Sequence, residues 1–365
     1  MKLKDLTYFL ESVAPLSYQE DYDNSGLICG YPDQEITAAL ISLDCTEAIV
    51  NEAIEKGCNL IISHHPIVFK GLKKFNGKSY VERVVIKAIK NDIALYAIHT
   101  NLDHIQNGVN WKICEKLGLK NPGILSAKDG LLKKLSTFVP VEHASKVRDA
   151  LAAAGAGKIG DYSDCSFNVE GFGTFKALDN ANPFVGERGE IHQEKEIKIE
   201  VIFSAYQQND IISALKASHP YEEVAYDIYQ LANAHEKVGA GMIASLEKEM
   251  DEESFLQLVK EKLNAKVIRH TALTGKPVSK VAVCGGAGSF LLKKAIAAGA
   301  NVFITGDFKY HEFFDAENRI VIADVGHFES EQFTQELLFE IIRKKFPNFA
   351  LRLTEFNTNP INYLI

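Results

Sequence analysis

The segment GCNLIISHHPIVF, Gly57 to Phe69, carries two imidazoles side by side, His64 and His65, where an uncharged run ends at Pro66. Proline biases the residue before it toward extended geometry, so the pair sits on a corner between a strand and a loop. Successive side chains on extended backbone face opposite ways, and such a corner can offer one ring to each of two metal ions. Adjacent histidines can equally be a packing coincidence. A second group, His99, Asp103 and His104, follows in IALYAIHTNLDH, just past the apolar run Ile93 to Ile98. An aspartate at that place serves as a ligand or as a loop cap. A third lies in VIADVGHFESEQF, where His327 and Glu331 stand four apart at a strand-to-helix junction. A helix begun by His327 puts both on one face. An exposed first turn capped by Ser330 accounts for Glu331 and leaves His327 unexplained.

Together these strand ends offer three imidazoles and two carboxylates. That exceeds the three protein ligands of a single open catalytic zinc. Shared between two ions, with one carboxylate bridging, the set suits a two-metal site with ions about 3.5–4 Å apart. Nitrogen and oxygen donors without thiolate suit zinc, iron or manganese. Near the same edge, ITGDFKYHEFFDA supplies Asp307, Lys309, Tyr310 and His311. Asp307 and His311, four apart, are candidates for moving protons beside a metal site, or else a helix cap and a buried polar group. VAVCGGAGSFLL reads as a strand, a glycine loop (Gly285, Gly286, Gly288) and a helix opening at Ser289. Such a loop can cradle phosphate. It lacks the P-loop lysine and matches the dinucleotide fingerprint only in part, which favours a tight structural turn.

The elements that must position these residues fall into three segments. In the first third, AALISLD, NLIIS and IALYAIH read as strands, with TEAIVNEAIEKG and YVERVVIKAIKND as helices between them. The last third repeats the rhythm: KVAVCGG, NVFITGD and IVIADVG as strands, SFLLKKAIAAGA and SEQFTQELLFEIIRKKF as helices. Alternation of this kind predicts an α/β domain made of two halves, its mostly parallel sheet covered by helices. The middle reads strand, helix, strand, strand, helix, strand, the ferredoxin-like split βαβ order, and is expected to be an inserted α+β domain. The predicted boundaries are 1–126 and 234–365 for the two-half domain and 127–233 for the insert. Within the insert, DNANPFVGERGE reads as a surface connection or a ligand-contacting loop.

Composition sets the class. The 365 residues are 46% hydrophobic and 24% charged with a formal net charge of −8, a soluble globular profile that disfavours a nucleic-acid-binding face. MKLKDLTYFLESVAPL interrupts its apolar residues with Asp5 and Glu11, unlike a secretory signal, and no segment is apolar over the length needed to span a bilayer. The six cysteines are scattered singly without a C-x-x-C pair, so a cytoplasmic location is expected over a disulfide framework.

In this order, SHHP, HTNLD, VAVCGGAG, ITGDFKYH and DVGHFESE resemble the NIF-three-like (NGG-one-interacting-factor-three-like) family, whose members are often labelled GTP cyclohydrolase I type 2 homologues. The likeness covers about Met1 to Ser126 and Ala234 to Ile365. GFGTF, PFVGERGE and SHPYEEVAYDIYQL resemble the CutA/PII-like insert of longer bacterial members. The resemblance implies two divalent metal ions per subunit on His64, His65, Asp103, His327 and Glu331, with Glu331 the bridging carboxylate because its two oxygens can reach both ions. It also implies a ring-shaped homohexamer with metal sites facing an internal cavity. The function so expected is metal-dependent hydrolysis of a small molecule, a nucleotide such as GTP under the family label or a phosphoester on chemical grounds. The alternative is a non-enzymatic oligomeric metal-binding or adaptor protein whose insert senses a small molecule.

Overall fold

A computed structural model describes residues 1–364. The chain divides into two compact units, one formed by Met1–Ala127 with Glu236–Ile365 and the other by Lys128–His235.

The first unit contains two sheets, where the sequence predicts one. In the first sheet the strands Ala38–Ser42, Leu60–Ser63 and Ala94–Ala97 run parallel in that spatial order. Gly26–Cys29 closes one edge antiparallel, and Ala350–Leu353 closes the other in parallel. That last strand, supplied by the C-terminal segment, ties the two halves into one unit. The second sheet repeats the plan with Val278–Ala287, Val302–Gly306 and Val321–Asp324 parallel, the short strand Arg269–His270 antiparallel on one edge, and His235–Met250 and Lys120–Lys128 beyond the other. Each sheet's edges are thus taken by its own flanking strands. Short or bulged flanking strands are a usual way to stop a sheet growing, and one carries a register shift between Leu27 and Cys29.

Every residue of the strands Ala38–Ser42, Leu60–Ser63, Ala94–Ala97, Val302–Gly306 and Val321–Asp324 is buried. This is why those stretches read as continuous apolar runs rather than alternating ones. The helix Glu47–Glu55 begins where the Thr46 side chain accepts a hydrogen bond from the Ile49 N–H, and it buries Ile49, Val50 and Ala53 against Leu40 and Ile61. In the second sheet Phe303, Ile320 and Ile322 pack with Leu291, Leu292 and Ala295. The result in both sheets is a set of rigid parallel strands whose C-terminal ends hold still whatever follows them.

The second unit has the antiparallel strand order Phe167–Lys176, Ile191–Ser204, Leu132–Pro140, Tyr226–Gln230. The helices Ala144–Ala153 and Gln208–Ser218 follow its first and third strands in the chain, giving a split βαβ arrangement. Its core joins Leu135, Val139, Ile199, Val201 and Phe203 to Val147, Leu151, Ile211 and Leu215. Among the described residues no helix is long and apolar enough to cross a membrane, and all six cysteines are free thiols.

Candidate metal centre

His64 and His65 leave the C-terminal end of Leu60–Ser63, and their rings do face different partners. His64 is fully buried, and its Nδ1 lies 2.8 Å from the Ile98 carbonyl oxygen. A carbonyl only accepts, so Nδ1 carries a proton, and the neutral ring presents its lone pair at Nε2. That Nε2 has no hydrogen-bond partner, and neither does the buried Oδ1 of Asp103, which is 3.6 Å away. Asp103 ends the short helix Thr100–Asp103. An acceptor aimed at an acceptor in a sealed place is costly unless a proton or a metal cation lies between them.

His65 turns the other way. Its Nδ1 is 2.8 Å from Asp44 Oδ1, and its Nε2 is 3.0 Å from Glu331 Oε2 and 3.3 Å from His327 Nε2. His327 and Glu331 share the helix His327–Glu331, and the His327 Nε2 to Glu331 Oε2 distance is 3.0 Å. Three donors bonded to one zinc at about 2.0–2.1 Å stand about 3.3 Å apart, so this triangle has the size of a coordination face. Glu331 Oε1, the other oxygen, faces His64 Nε2 at 3.9 Å. Two clusters that could hold an ion, His65–His327–Glu331 and His64–Asp103–Glu331, therefore share one carboxylate.

Glycines let the pieces converge. A Cβ on Gly286 (φ 64°) would stand 2.4 Å from Glu331 Oε1, and one on Gly306 would stand 2.8 Å from the His327 backbone nitrogen. The structure places Gly285 and Gly286 not in a loop but in the strand Val278–Ala287, whose pairing is irregular between Val283 and Ala287, and this irregular stretch makes room for the carboxylate. Its amides are spent as well: Gly285 N–H donates to Asn110 Oδ1 and Gly286 N–H to Ser330 Oγ, each at 2.9 Å. Of the two readings the role is structural, met by an irregular strand end rather than by a turn.

Electrostatics follow from crowding rings and carboxylates together. Burial alone would lower the His65 imidazole, but hydrogen bonds to Asp44 and Glu331 and the charges on both lift it to about 10. For His327, burial is likewise outweighed by the Glu331 charge and the bonds to Asp307 and Glu331, giving about 11. Burial pushes Asp103 up to about 7, with the Glu331 charge adding to it. Glu331 is buried too, yet the His327 charge beside it holds its carboxyl well below the usual range. The cluster is organised to accept positive charge. Two cysteines at the cleft wall are poor thiolate donors, because burial raises Cys45 to about 12 and raises Cys284 as well.

Asp307 lies in the group, though not as a partner of His311. Its Oδ2 is 2.7 Å from His327 Nδ1. His311 is exposed, its ring against Tyr310 and Phe314, and it does not line the cleft. His104 also stands apart from the clusters, its Nδ1 2.7 Å from the Tyr18 carbonyl and its Nε2 3.1 Å from Glu20. His99 comes within reach of His64 and His65, held by Asp23 Oδ1 at 2.8 Å from its Nδ1. Sequence reasoning passed over Asp23, Asp44 and Thr358, whose hydroxyl donates to Asp44 Oδ2 at 2.6 Å. Asp44 carried a usable signal, since it too follows a strand on the same edge.

The model of the family Duf34/NIF3 (NGG1p interacting factor 3) matches residues 1–360. A Bacillus subtilis (strain 168) protein named GTP cyclohydrolase 1 type 2 homolog is 38% identical over 367 residues, covering 99% of this chain and 98% of that protein. A Staphylococcus aureus (strain MSSA476) protein of the same name is 36% identical over 369 residues, covering 100% of both. The solved structure of a Bacillus cereus protein related to NIF3 superposes with a TM-score of 0.85 at 38% identity, covering 100% of this chain and 99% of that one.

Proposed function

Because the chain belongs to the Duf34/NIF3 (NGG1p interacting factor 3) family, we propose that it is a metal-dependent hydrolase with a dinuclear centre held by His64, His65, Asp103, His327 and Glu331. The observation that carries this reading is Glu331, whose two oxygens face different donor sets, Oε2 toward His65 and His327 and Oε1 toward His64. The unpartnered atoms His64 Nε2 and Asp103 Oδ1 fit a cation between them, and the mixed nitrogen and oxygen donors suit zinc, iron or manganese. Two ions bound here would supply an acidified water and a polarised scissile bond.

The chain's own residues do the rest. Asp44 and Asp307 fix the His65 and His327 rings with Nδ1 protonated and Nε2 facing inward, the arrangement that aims imidazole ligands. In this reading Asp307 is a positioning residue, and His311 has no part in the centre. Asp103 and Glu331, as carboxylates, bring the negative charge that two divalent ions require. The relatives' name suggests a small-molecule substrate. We further propose a CutA/PII-like inserted domain at about 127–233, a homohexamer, and a cytoplasmic location, all resting on likeness to longer family members.

Metal analysis of purified protein tests the centre. Two ions per chain are expected, removed by a chelator and restored by zinc, iron or manganese. His64→Ala and Glu331→Gln should each lower the content while circular dichroism stays unchanged. Parent-like content in both variants would sink the ligand assignment.

A further inference from the structure

The centre opens into a cleft of about 930 Å³, and its wall has an unusual make-up for an enzyme whose relatives are named after a nucleoside triphosphate. Among the described residues lining it, none is a lysine or an arginine. Its charged members besides the imidazoles are Glu20, Asp44, Asp103 and Glu331. Around the opening stand Tyr22, Phe69, Tyr80, Phe290 and Ile361, with fractional exposures of 67%, 48%, 59%, 67% and 49%. Phe69 reaches the centre itself, its ring edge-on to His99 with centroids 5.7 Å apart.

From this we propose that the cleft takes a flat, uncharged nitrogen heterocycle held between aromatic side chains, and that it does not recognise a polyphosphate chain. The proposal rests on the hydrolase reading above and narrows its substrate class.

Charge balance is the first support. Asp44, Asp103, Asp307 and Glu331 surround the imidazoles, and together they cancel the charge of two divalent cations. The remaining charged member of the wall, Glu20, is a carboxylate too, so no described side chain there offers a lysine or arginine cation to an anionic chain. A triphosphate brings about four negative charges, and sites that hold one supply lysine, arginine or free backbone amides. Here the two glycine amides beside the centre are committed. Gly285 and Gly286 donate to Asn110 and Ser330, and the helix start at Thr46 is capped by its own side chain, with Asp44 two residues before it.

Shape is the second support. Exposed aromatic rings gathered at the mouth of a concave site are the usual means of holding a planar ligand, with polar groups deeper in the pocket. Stacking does not depend on a ligand's charge, and removing one stacking ring commonly costs about tenfold or more in binding.

The test uses the full chain, zinc-loaded and metal-free, in titration calorimetry with four probes: guanosine, 2-amino-4-hydroxypteridine, GTP and inorganic triphosphate. At least one flat ring should bind as tightly as GTP or tighter, and inorganic triphosphate should not displace it. Affinity for that ring should change less than twofold between low and high salt. Phe69→Ala and Phe290→Ala should each weaken it about tenfold without changing metal content. GTP or triphosphate binding tenfold tighter than either ring, with a steep salt dependence, overturns the proposal. So does the absence of ring binding. Metal content is measured on the same samples, so loss of the dinuclear reading shows there, and the order of probes on metal-free protein still reports on the aromatic wall.

Discussion

Replacing Asp307 by asparagine removes one charge and almost nothing else. Asp307 has a φ of 57°, a left-handed conformation that asparagine tolerates as well as aspartate does, so the backbone should not move. The amide oxygen can still accept from His327 Nδ1, now 2.7 Å from Asp307 Oδ2. What is lost is the charge assistance, roughly half the strength of the bond, and with it some basicity of the Nε2 that faces Glu331. Loss of a carboxylate behind a ligating imidazole typically weakens metal binding by about 10–100-fold, or about 1.4–2.7 kcal/mol. Asparagine keeps the ring aimed and should fall near tenfold, whereas alanine frees the ring and should approach a hundredfold. Competition with a chromophoric chelator measures both. His311→Ala serves as the control and should bind ions within twofold of the parent, since His311 contacts Tyr310 and Phe314 and no member of the centre. Parent-like affinity in both Asp307 variants, or an equal loss in His311→Ala, would refute the positioning role.

Gly286→Ala should weaken ion binding at least as much as Asp307→Asn, because its Cβ would stand 2.4 Å from Glu331 Oε1. Gly57→Ala, with a similar φ of 65° and nothing within 4 Å, isolates backbone strain and should leave ion binding alone. Ion uptake by metal-free protein near pH 7 should release about two to three protons, since His65 and His327 are raised from 6.5 to about 10 and about 11, Asp103 is raised to about 7, and all three must be deprotonated to ligate. Calorimetry in buffers of different ionisation enthalpy counts them, and release of none would contradict the raised values. Within metal-free protein the upward shifts of His65 and His327 stabilise the fold fully below pH 6.5, and that contribution is lost as pH rises through about 10 to 11. Deleting 128–235 and joining Ala127 to Glu236 should leave a folded, ion-binding unit. The two chain ends lie on neighbouring strands, where a Cβ on Gly239 would sit 2.8 Å from Ala127 Cα. An insoluble product would count against the insert's independence.

The central strands were legible because burial on both faces leaves short unbroken apolar runs, as in NLIIS and VFITG. The flanking strands were not. Lys120–Lys128 contains Pro122 and Gly123, and His235–Met250 contains Gly239 and Gly241. Local preference argues against a strand there, and only close packing explains it: a Cβ on Gly241 would meet Leu291 Cδ1 at 2.7 Å. Among the clustered residues, the imidazoles stand out because histidine is rare and conspicuous at a strand end. Of the carboxylates beside them, Asp307 is legible only as a companion of His311, and Asp23 and Asp44 not at all, because an aspartate in a loop has many ordinary uses.

Register supplies what residue type cannot. In the first sheet Ser42 pairs with Ser63 and Ser63 with Ala97. Asp44, His65 and His99 each lie two residues beyond those partners, one on each neighbouring strand. Parallel strands in register carry equivalent positions side by side, so the contacts of Asp44 with His65 at 2.8 Å and of the His65 and His99 rings at 5.2 Å follow from the pairing alone. The second sheet repeats the relation: Thr305 pairs with Asp324, Asp307 lies two residues beyond one and His327 three beyond the other, and the two touch. Once strand order is known, the aiming carboxylates of His65 and His327 can be sought at the matching step past the neighbouring strand. Asp23 reaches His99 from before the antiparallel edge strand Gly26–Cys29, and Thr358, 314 residues from Asp44, reaches that aspartate from beyond the edge strand Ala350–Leu353; the latter can be placed only by the completed fold.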